Sequence, residues 1–233
     1  MSPRPEVSVV VPVYNNATTL AQLALLVSQA LRPYSYELVF VNDDSPDDSA
    51  AVLAKLADED GRVKVKTLAE NQGQNRAIMA GLGIAEGKIV VVMDADLQDQ
   101  PQHLPALVQQ VEKTGEATFL RRQGQYQKGG RMATSRIYKR LLQSMTGLHY
   151  QAGSYFSIPA TLVPTLLEVP LRHPIVTVMV AVFSPTLHYV PGTRSHNQGI
   201  SNYTWRGRMR YARRALACAR YCRKWKRTFI AKE

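Results

Sequence analysis

Three carboxylates fall within six residues of "VVVMDADLQD": Asp94, Asp96 and Asp99, directly after an apolar run and just before Pro101. A short apolar, β-branched run reads as a buried strand, so the charge sits at a strand end. Asp94 and Asp96 flank one small residue, and in an extended backbone alternate side chains share a face. Two carboxylates held side by side repel unless a cation lies between them. Mg²⁺ or Mn²⁺ suits that place, because these ions prefer oxygen ligands and are commonly held by one or two carboxylates together with substrate phosphates. Gln98 continues the alternation and completes the candidate metal set Asp94, Asp96 and Gln98. The competing structural reading is a solvated loop in which Asp99 caps a helix ahead of Pro101.

Two other polar clusters follow apolar runs. "VPVYNN" presents Pro12, Tyr14 and Asn16, a rigid turn followed by an aromatic face on which a nucleobase could stack. "NDDSPD" presents Asp43, a carboxylate able to accept from a base N–H. Each has a plain structural alternative: Tyr14 covering the core, and Asp43 with Ser45 capping the next helix.

The elements that position these clusters alternate in type. Strands are expected at Val7 to Val13, Tyr36 to Val41, "VKVKTL" and "KIVVVM", and helices at Thr18 to Leu31, Ser49 to Glu59 and Asn75 to Ala85. Strands separated by helices of about ten residues imply βαβ units and a doubly wound, mainly parallel α/β sheet with helices on both faces. Ligands of such sheets bind at the carboxyl ends of the strands, where the three clusters converge. After residue 116 the reading gives a strand at Ala117 to Leu120, a basic loop "RRQGQYQKGGR" and a helix from Met132 to Met145. Short strands follow at "GSYFSI", Val176 to Val182 and Leu187 to Val190, and then a basic segment from Thr204 to Lys226.

Charge divides the chain more sharply than its net +11 suggests: residues 1–116 carry 9 Lys and Arg against 16 Asp and Glu, residues 117–233 carry 20 against 2. A basic half of this kind calls for an anionic partner. The aromatics are not interleaved with the basic residues in a nucleic-acid-binding pattern, so no nucleic acid is expected. Cys218 and Cys222, four apart, read as helical packing neighbours; no companion pair suggests zinc. With no long apolar run and no basic-then-apolar leader, the chain is expected in the cytoplasm.

In order, "VVVPVYNN", "VFVNDDSPDDS", "ENQGQNRAIMAGLGIAEGKIVVVMDADLQDQP" and "GISNY" resemble the signature series of family 2 inverting glycosyltransferases of the GT-A fold, over roughly residues 6–205. The branch that the chain resembles most makes polyprenyl- or dolichyl-phosphate sugars from nucleotide sugars. The resemblance implies a GDP- or UDP-linked donor, with Pro12, Tyr14, Asn16, Asp43, Asn71, Gln74 and Asp94 around the nucleotide, and Asp94, Asp96 and Gln98 at the metal. It implies that Arg122, Arg131 and Ser135 bind the acceptor phosphate, with Arg121 and Arg136 as alternatives that the loop length allows. Arg194 and Ser201, with His196 beside them, would meet the donor diphosphate, and Asp96, Arg122, Arg131 and Ser154 form the candidate catalytic set. Three positions depart from the family pattern: Asn16 replaces glutamate, Asp44 replaces glycine and Phe156 replaces arginine; Ser154 matches it, though some relatives carry aspartate there.

The expected organisation is a glycosyltransferase domain over 1–203, with a nucleotide-sugar half (1–116) and an acceptor half (117–203), and a basic amphipathic tail over 204–233. In that tail Met209, Ala212, Leu216, Ala219 and Trp225 share a stripe suited to an anionic membrane surface. The remaining readings are a transferase acting on a saccharide or small-molecule hydroxyl, a nucleic-acid-binding module, and a non-catalytic partner subunit.

Overall fold

The computed structural model describes residues 4–122, 133–149, 151–193 and 205–229. Strands β1 (Val7–Val13), β2 (Tyr36–Asn42), β3 (Val63–Thr67) and β4 (Ile89–Val92) alternate with helices α1 (Ala17–Ala30), α2 (Ser49–Glu59) and α3 (Gln74–Leu82). Then come α4 (Leu104–Thr114), β5 (Ala117–Arg122), α5 (Ala133–Thr146), β6 (Ala152–Pro159), α6 (Val163–Glu168), α7 (Val176–Phe183), β7 (Leu187–Gly192) and α8 (Trp205–Phe229). They build a seven-stranded sheet in the order β3-β2-β1-β4-β6-β5-β7. β1 pairs in parallel with β2 and β4, while β6 runs antiparallel between β4 and β5. The expected doubly wound, mainly parallel sheet is what the chain forms.

Both faces of the sheet are covered, which is why its central strands are apolar throughout instead of alternating. Val9, Val11, Leu38, Phe40 and Val91 pack with α1 and α4 on one side. Val10, Val39, Val41, Val90 and Val92 pack with α3 and α7 on the other. α3 lies so close to the sheet that a Cβ on Gly81 would stand 2.4 Å from Val10 Cγ1 and 3.0 Å from Val41 Cγ2.

One expected strand is a helix. Val176–Phe183 has the β-branched composition of a strand, but it coils as α7 with seven of its eight residues buried. A helix that is apolar all round is a core helix, and α7 lies between the sheet side of the core and α8. Asn75 Oδ1 accepts from Val176 N (2.9 Å), satisfying one of the first-turn N–H groups. α4, with Leu104, Leu107, Val108 and Val111 buried at helical spacing, and α6 are absent from the sequence reading.

At the amino ends of the strands, Glu37 anchors a closed polar network. Its Oε1 accepts from Ser8 Oγ (2.5 Å) and Glu86 N (2.6 Å), and its Oε2 meets Lys64 Nζ at 2.7 Å. Lys64 also reaches Glu86 Oε2 at 2.7 Å. Burial pushes the Glu37 carboxyl up, but the Lys64, Ser8 and backbone hydrogen bonds outweigh it and hold the group below the ordinary carboxylate range.

α8 packs its Ala215, Cys218, Ala219 and Cys222 face into the core. The cysteine Sγ atoms lie 4.0 Å apart, as packing neighbours. The apolar stripe expected to face a membrane is therefore divided: Ala219 is fully buried and the Trp225 ring packs on Phe183 at 5.6 Å, while Met209 is exposed. No helix among the described residues is long and apolar enough to cross a membrane.

Candidate active site

The strand order reverses direction between β1 and β4, and the crevice opens there. β4 pairs with β1 only over Val7–Val10, and Met93 N gives a last bond to Val10 O (3.2 Å). Pro12 lies beyond that pairing. Its missing N–H therefore breaks no bond to β4, and a proline is tolerated inside an otherwise central strand.

The loops that leave β1 to β4 are bonded to one another. Asn15 N donates to Ser45 Oγ (2.9 Å), Asn16 N to Ser49 Oγ (3.3 Å) and Ala17 N to Asp47 Oδ2 (3.0 Å), joining the loops after β1 and β2. Asp43 is buried, and its two oxygens accept from Gln72 N and Gly73 N, each at 2.8 Å. It caps no following helix; it fastens the Asn71–Gln74 loop to the end of β2. Thr19 Oγ1 reaches Ala95 O at 2.7 Å, tying α1 to the loop after β4. Tyr14 is 45% exposed above this assembly, so it does not cover the core. Asn16 Oδ1 accepts from Tyr14 N (3.3 Å) within the same turn.

Asp94 and Asp96 follow the end of β4 in a bend, not in extended strand. Asp94 Oδ1 accepts from Gln74 Nε2 and Oδ2 from Ser154 Oγ, both at 2.6 Å, so α3 and β6 aim this carboxylate from opposite sides. Asp96 Oδ1 accepts from Gln98 N at 3.0 Å. The alternation expected to put Gln98 on the same face is broken at Leu97, whose φ of 58° is left-handed. Gln98 thus meets Asp96 through its backbone N–H. Asp99 is buried and caps no helix through its side chain; Gln100 precedes the short 3-10 turn Pro101–His103.

Does this donor set suit a divalent cation? Among the described residues no cluster of three or more His, Cys, Asp or Glu could hold a metal ion by itself. Two adjacent carboxylates are what the protein supplies, with Asp94 aimed by Gln74 and Ser154 and Asp96 held by Gln98 N. That suits Mg²⁺ or Mn²⁺, which take one or two carboxylates and draw their other ligands from substrate phosphate and water.

On the other side of the crevice, β5 ends at Arg121 and Arg122, and Arg121 pairs with Ala152, two residues before Ser154 on β6. Arg121 is exposed, and Ser135 and Arg136 belong to α5. Arg131, Arg194, His196 and Ser201 lie outside the described residues. Phe156, at the position where the family pattern has arginine, is fully buried against Phe119 with ring centroids 5.3 Å apart. Burial, and then the Arg121 charge, lower the pKa of His149 near this strand end.

Several residues that shape the crevice carried no signal in the sequence. Thr19 and Ser49 are ordinary helix residues until the fold brings their hydroxyls to neighbouring loops. His103 Nε2 lies 3.2 Å from Thr193 N, joining the turn beyond the Asp94–Asp99 loop to the end of β7.

With this geometry in place, comparison with known proteins is informative. Residues 8–163 match glycosyl transferase family 2, well over half of the chain. The undecaprenyl-phosphate 4-deoxy-4-formamido-L-arabinose transferase of Enterobacter sp. (strain 638) is 38% identical over 145 residues, 61% of this chain and 44% of the relative. The enzyme of the same name from Klebsiella pneumoniae (strain 342) is 35% identical over 148 residues, 62% of this chain and 45% of the relative. The chain thus spans less than half the length of these curated relatives. Among solved structures, glucosyl-3-phosphoglycerate synthase from Mycobacterium tuberculosis, with Mn²⁺, UDP-glucose and phosphoglyceric acid, superposes with a TM-score of 0.65 at 19% identity, covering 94% of this chain and 80% of that one. A mannosyltransferase from Pyrobaculum calidifontis, with GDP-Man and Mn²⁺, gives 0.64 at 18% identity, covering 94% and 64%. These likenesses establish the GT-A fold. By the extent of its match, the chain belongs to glycosyl transferase family 2.

Proposed function

We propose that this chain transfers a sugar from a GDP- or UDP-linked donor to polyprenyl phosphate, with inversion at the anomeric carbon, on the cytoplasmic side of a membrane. The observation that carries the reading is the arrangement around Asp94. Its carboxylate is aimed by Gln74 and Ser154, next to Asp96, at the carboxyl end of β4 and beside the arginines that end β5. The two curated relatives described above, both named for undecaprenyl phosphate, support a lipid phosphate as acceptor.

The chemistry is one displacement. An acceptor phosphate oxygen attacks the anomeric carbon, the bond from that carbon to the donor diphosphate breaks, and the nucleoside diphosphate leaves with the electron pair. A phosphate monoester is already an anion, so no general base is required. That suits Ser154, which donates to Asp94, at a position where a carboxylate would be the natural base for a hydroxyl acceptor. Asp94 and Asp96 would hold Mg²⁺ or Mn²⁺, which when bound neutralises charge on the departing diphosphate. Tyr14 offers its exposed ring to the base, and the Asn71–Gln74 loop, fastened by Asp43, lies toward the ribose and phosphates. Arg122, Arg131, Ser135 and Arg136 bind the acceptor phosphate, offsetting repulsion between two anions, and Arg194 and Ser201 bind the donor diphosphate.

The test is a panel of labelled nucleotide sugars incubated with Mn²⁺ or Mg²⁺ and either a short-chain polyprenyl phosphate or the matching free alcohol. Metal-dependent transfer to the phosphate alone is expected, lost in Asp96→Ala. Transfer to the alcohol would favour a hydroxyl acceptor, and no transfer to any acceptor would overturn the enzymatic reading.

A further inference from the structure

α8 carries ten Lys and Arg and no Asp or Glu over Trp205–Phe229. A helix this basic repels itself, so its charges need an account. The fold explains two of them. Arg223 Nη1 donates to Met145 O (3.4 Å) and Lys226 Nζ to Val182 O (2.9 Å), placing cations at the carboxyl ends of α5 and α7, where the helix dipoles favour them. Among the basic residues whose side chains are described, six others remain: Arg210, Arg213, Arg214, Arg220, Lys224 and Arg227. All six are exposed, and none makes an ion pair or side-chain hydrogen bond with a described residue.

These six recur at helical spacing on one face, opposite the buried Ala215, Cys218, Ala219 and Cys222. The face from Arg210 to Arg227 is about 26 Å long at 1.5 Å per residue. Exposed Tyr221 stands within it, and exposed Met209 lies near its first end. The direction of the helix is also fixed. Cys218 Sγ lies 4.0 Å from Ile175 O at the start of α7, and Trp225 packs on Phe183 at its end, so α8 runs alongside α7 in the same sense. The start of α7 is joined through Asn75 to the first turn of α3, at the crevice end of the sheet. The part of α8 before Cys218 therefore continues past that end, carrying Arg214, Arg213 and Arg210 about 6 to 12 Å beyond the Cys218 contact.

We infer that this outward face of α8 is a docking surface for an anionic lipid bilayer. Charge complementarity carries it: a row of cations with no acidic residue among them meets an extended anionic plane along its length, and Tyr221 at its middle with Met209 at its first end suit the headgroup boundary. The surface differs from the apolar stripe expected from the sequence, because the core takes much of that stripe. The inference rests on a lipid-borne acceptor in supplying its purpose: docking would bring the crevice end of the sheet to the acceptor's headgroup.

The test measures sedimentation of the purified full chain with phosphatidylcholine vesicles, with and without phosphatidylglycerol and lacking any polyprenyl phosphate, at low and high salt. Binding to the anionic vesicles alone, weakened by salt, is expected. The Arg213→Glu, Arg214→Glu, Arg220→Glu and Lys224→Glu quadruple variant should bind at least about 100-fold more weakly, and the matching glutamine variant should fall between. Unchanged circular dichroism and thermal midpoint would show that both variants fold. Equal binding to neutral vesicles, undiminished binding by the quadruple variant, or tighter binding to a random single-stranded oligonucleotide than to anionic vesicles would overturn the inference. Transfer to a water-soluble, short-chain polyprenyl phosphate should persist in the quadruple variant. If it falls with vesicle binding, these cations belong to the crevice and the docking inference fails. If no protein transfers sugar at all while anionic vesicles are bound, docking stands and the proposed activity falls.

Discussion

The two ends of the same sheet treat carboxylates in opposite ways. At the amino ends of the strands, Glu37 meets Lys64 at 2.7 Å and the pair closes on Ser8 and Glu86. At the carboxyl ends, the hydrogen bonds seen aim the carboxylates from several elements: two backbone N–H groups for Asp43, an amide and a hydroxyl for Asp94, and a backbone N–H for Asp96. The lysine offsets a carboxylate's charge, whereas these donors set a carboxylate's direction. The first arrangement is what a fold needs for its own stability. The second is what a site needs when its carboxylates must point at a ligand; Glu37, Asp43, Asp94 and Asp96 all lie within residues 37–96, with Ser154 added from β6.

The most direct way to break this contrast is to remove one carboxylate from each end. Asp96→Ala should lower sugar transfer about a thousandfold and leave the thermal midpoint nearly unchanged. Glu37→Gln should do the reverse, lowering stability by about 1–3 kcal/mol with kcat intact. Calorimetry and initial rates on both variants check the pair, and a loss of activity in Glu37→Gln without a loss of stability would end the distinction.

A smaller effect is expected from the donors that aim Asp94. Ser154→Ala removes one of two 2.6 Å hydrogen bonds to its carboxylate and should lower kcat about tenfold, which is the effect of a displaced charge, about 1.4 kcal/mol. Metal affinity, read by titrating Mn²⁺ against activity, should weaken with it. Ser154→Asp is the informative companion: a carboxylate there repels Asp94 and should lower transfer to a phosphate acceptor further, instead of rescuing it.

The amino-end pair also sets a pH dependence of stability. Glu37 titrates below its ordinary 4.5 and Lys64 above its ordinary 10.5, chiefly through their mutual hydrogen bond in the case of Lys64. A carboxyl with a depressed folded pKa contributes stability that is present above 4.5 and lost as pH falls through the folded value; a raised lysine contributes below 10.5 and loses it as pH rises. Chemical denaturation of the native chain should therefore show a stability plateau between those limits. Glu37→Gln should flatten the acid limb.

How much of this was legible beforehand follows from which forces act locally. The β1 to β4 run could be read because a strand buried on both faces must be apolar at consecutive positions, and "VSVVVPV" and "KIVVVM" are. α7 could not, because "VTVMVAVF" satisfies a buried strand and a buried core helix equally; Asn75, a hundred residues away, caps it. At the crevice, the residue types of Asp94 and Asp96 announced a charge problem. Their aim did not, since it comes from Gln74 and Ser154 on other elements and from the left-handed turn at Leu97 that ends the strand alternation. Asp43 follows the carboxyl end of β2, at the crevice end of the sheet. Its partners, the amides of Gln72 and Gly73, are visible only once β2 and β3 are paired.

The smallest prediction concerns backbone strain, which is also confined to one end. Asn15, Asp44 and Leu97 are the non-glycine residues with positive φ among those described, and all three lie in loops at the carboxyl ends of strands. Asp44 has φ 54° and an exposed side chain, at the position where the family pattern has glycine. Its Cβ is disfavoured in that conformation, so Asp44→Gly relieves strain; glycine also gains freedom in the unfolded chain, which offsets part of the gain. A net stabilisation of about 0.5 kcal/mol is expected, with donor KM unchanged. Gly73→Ala should move the other way by about 1–3 kcal/mol, because Gly73 has φ 87° and ψ 153° and its N–H is one of the two that hold Asp43. If Asp44→Gly instead raises donor KM severalfold at equal stability, the Asp44 carboxylate itself meets the donor, and its strained backbone serves to present it.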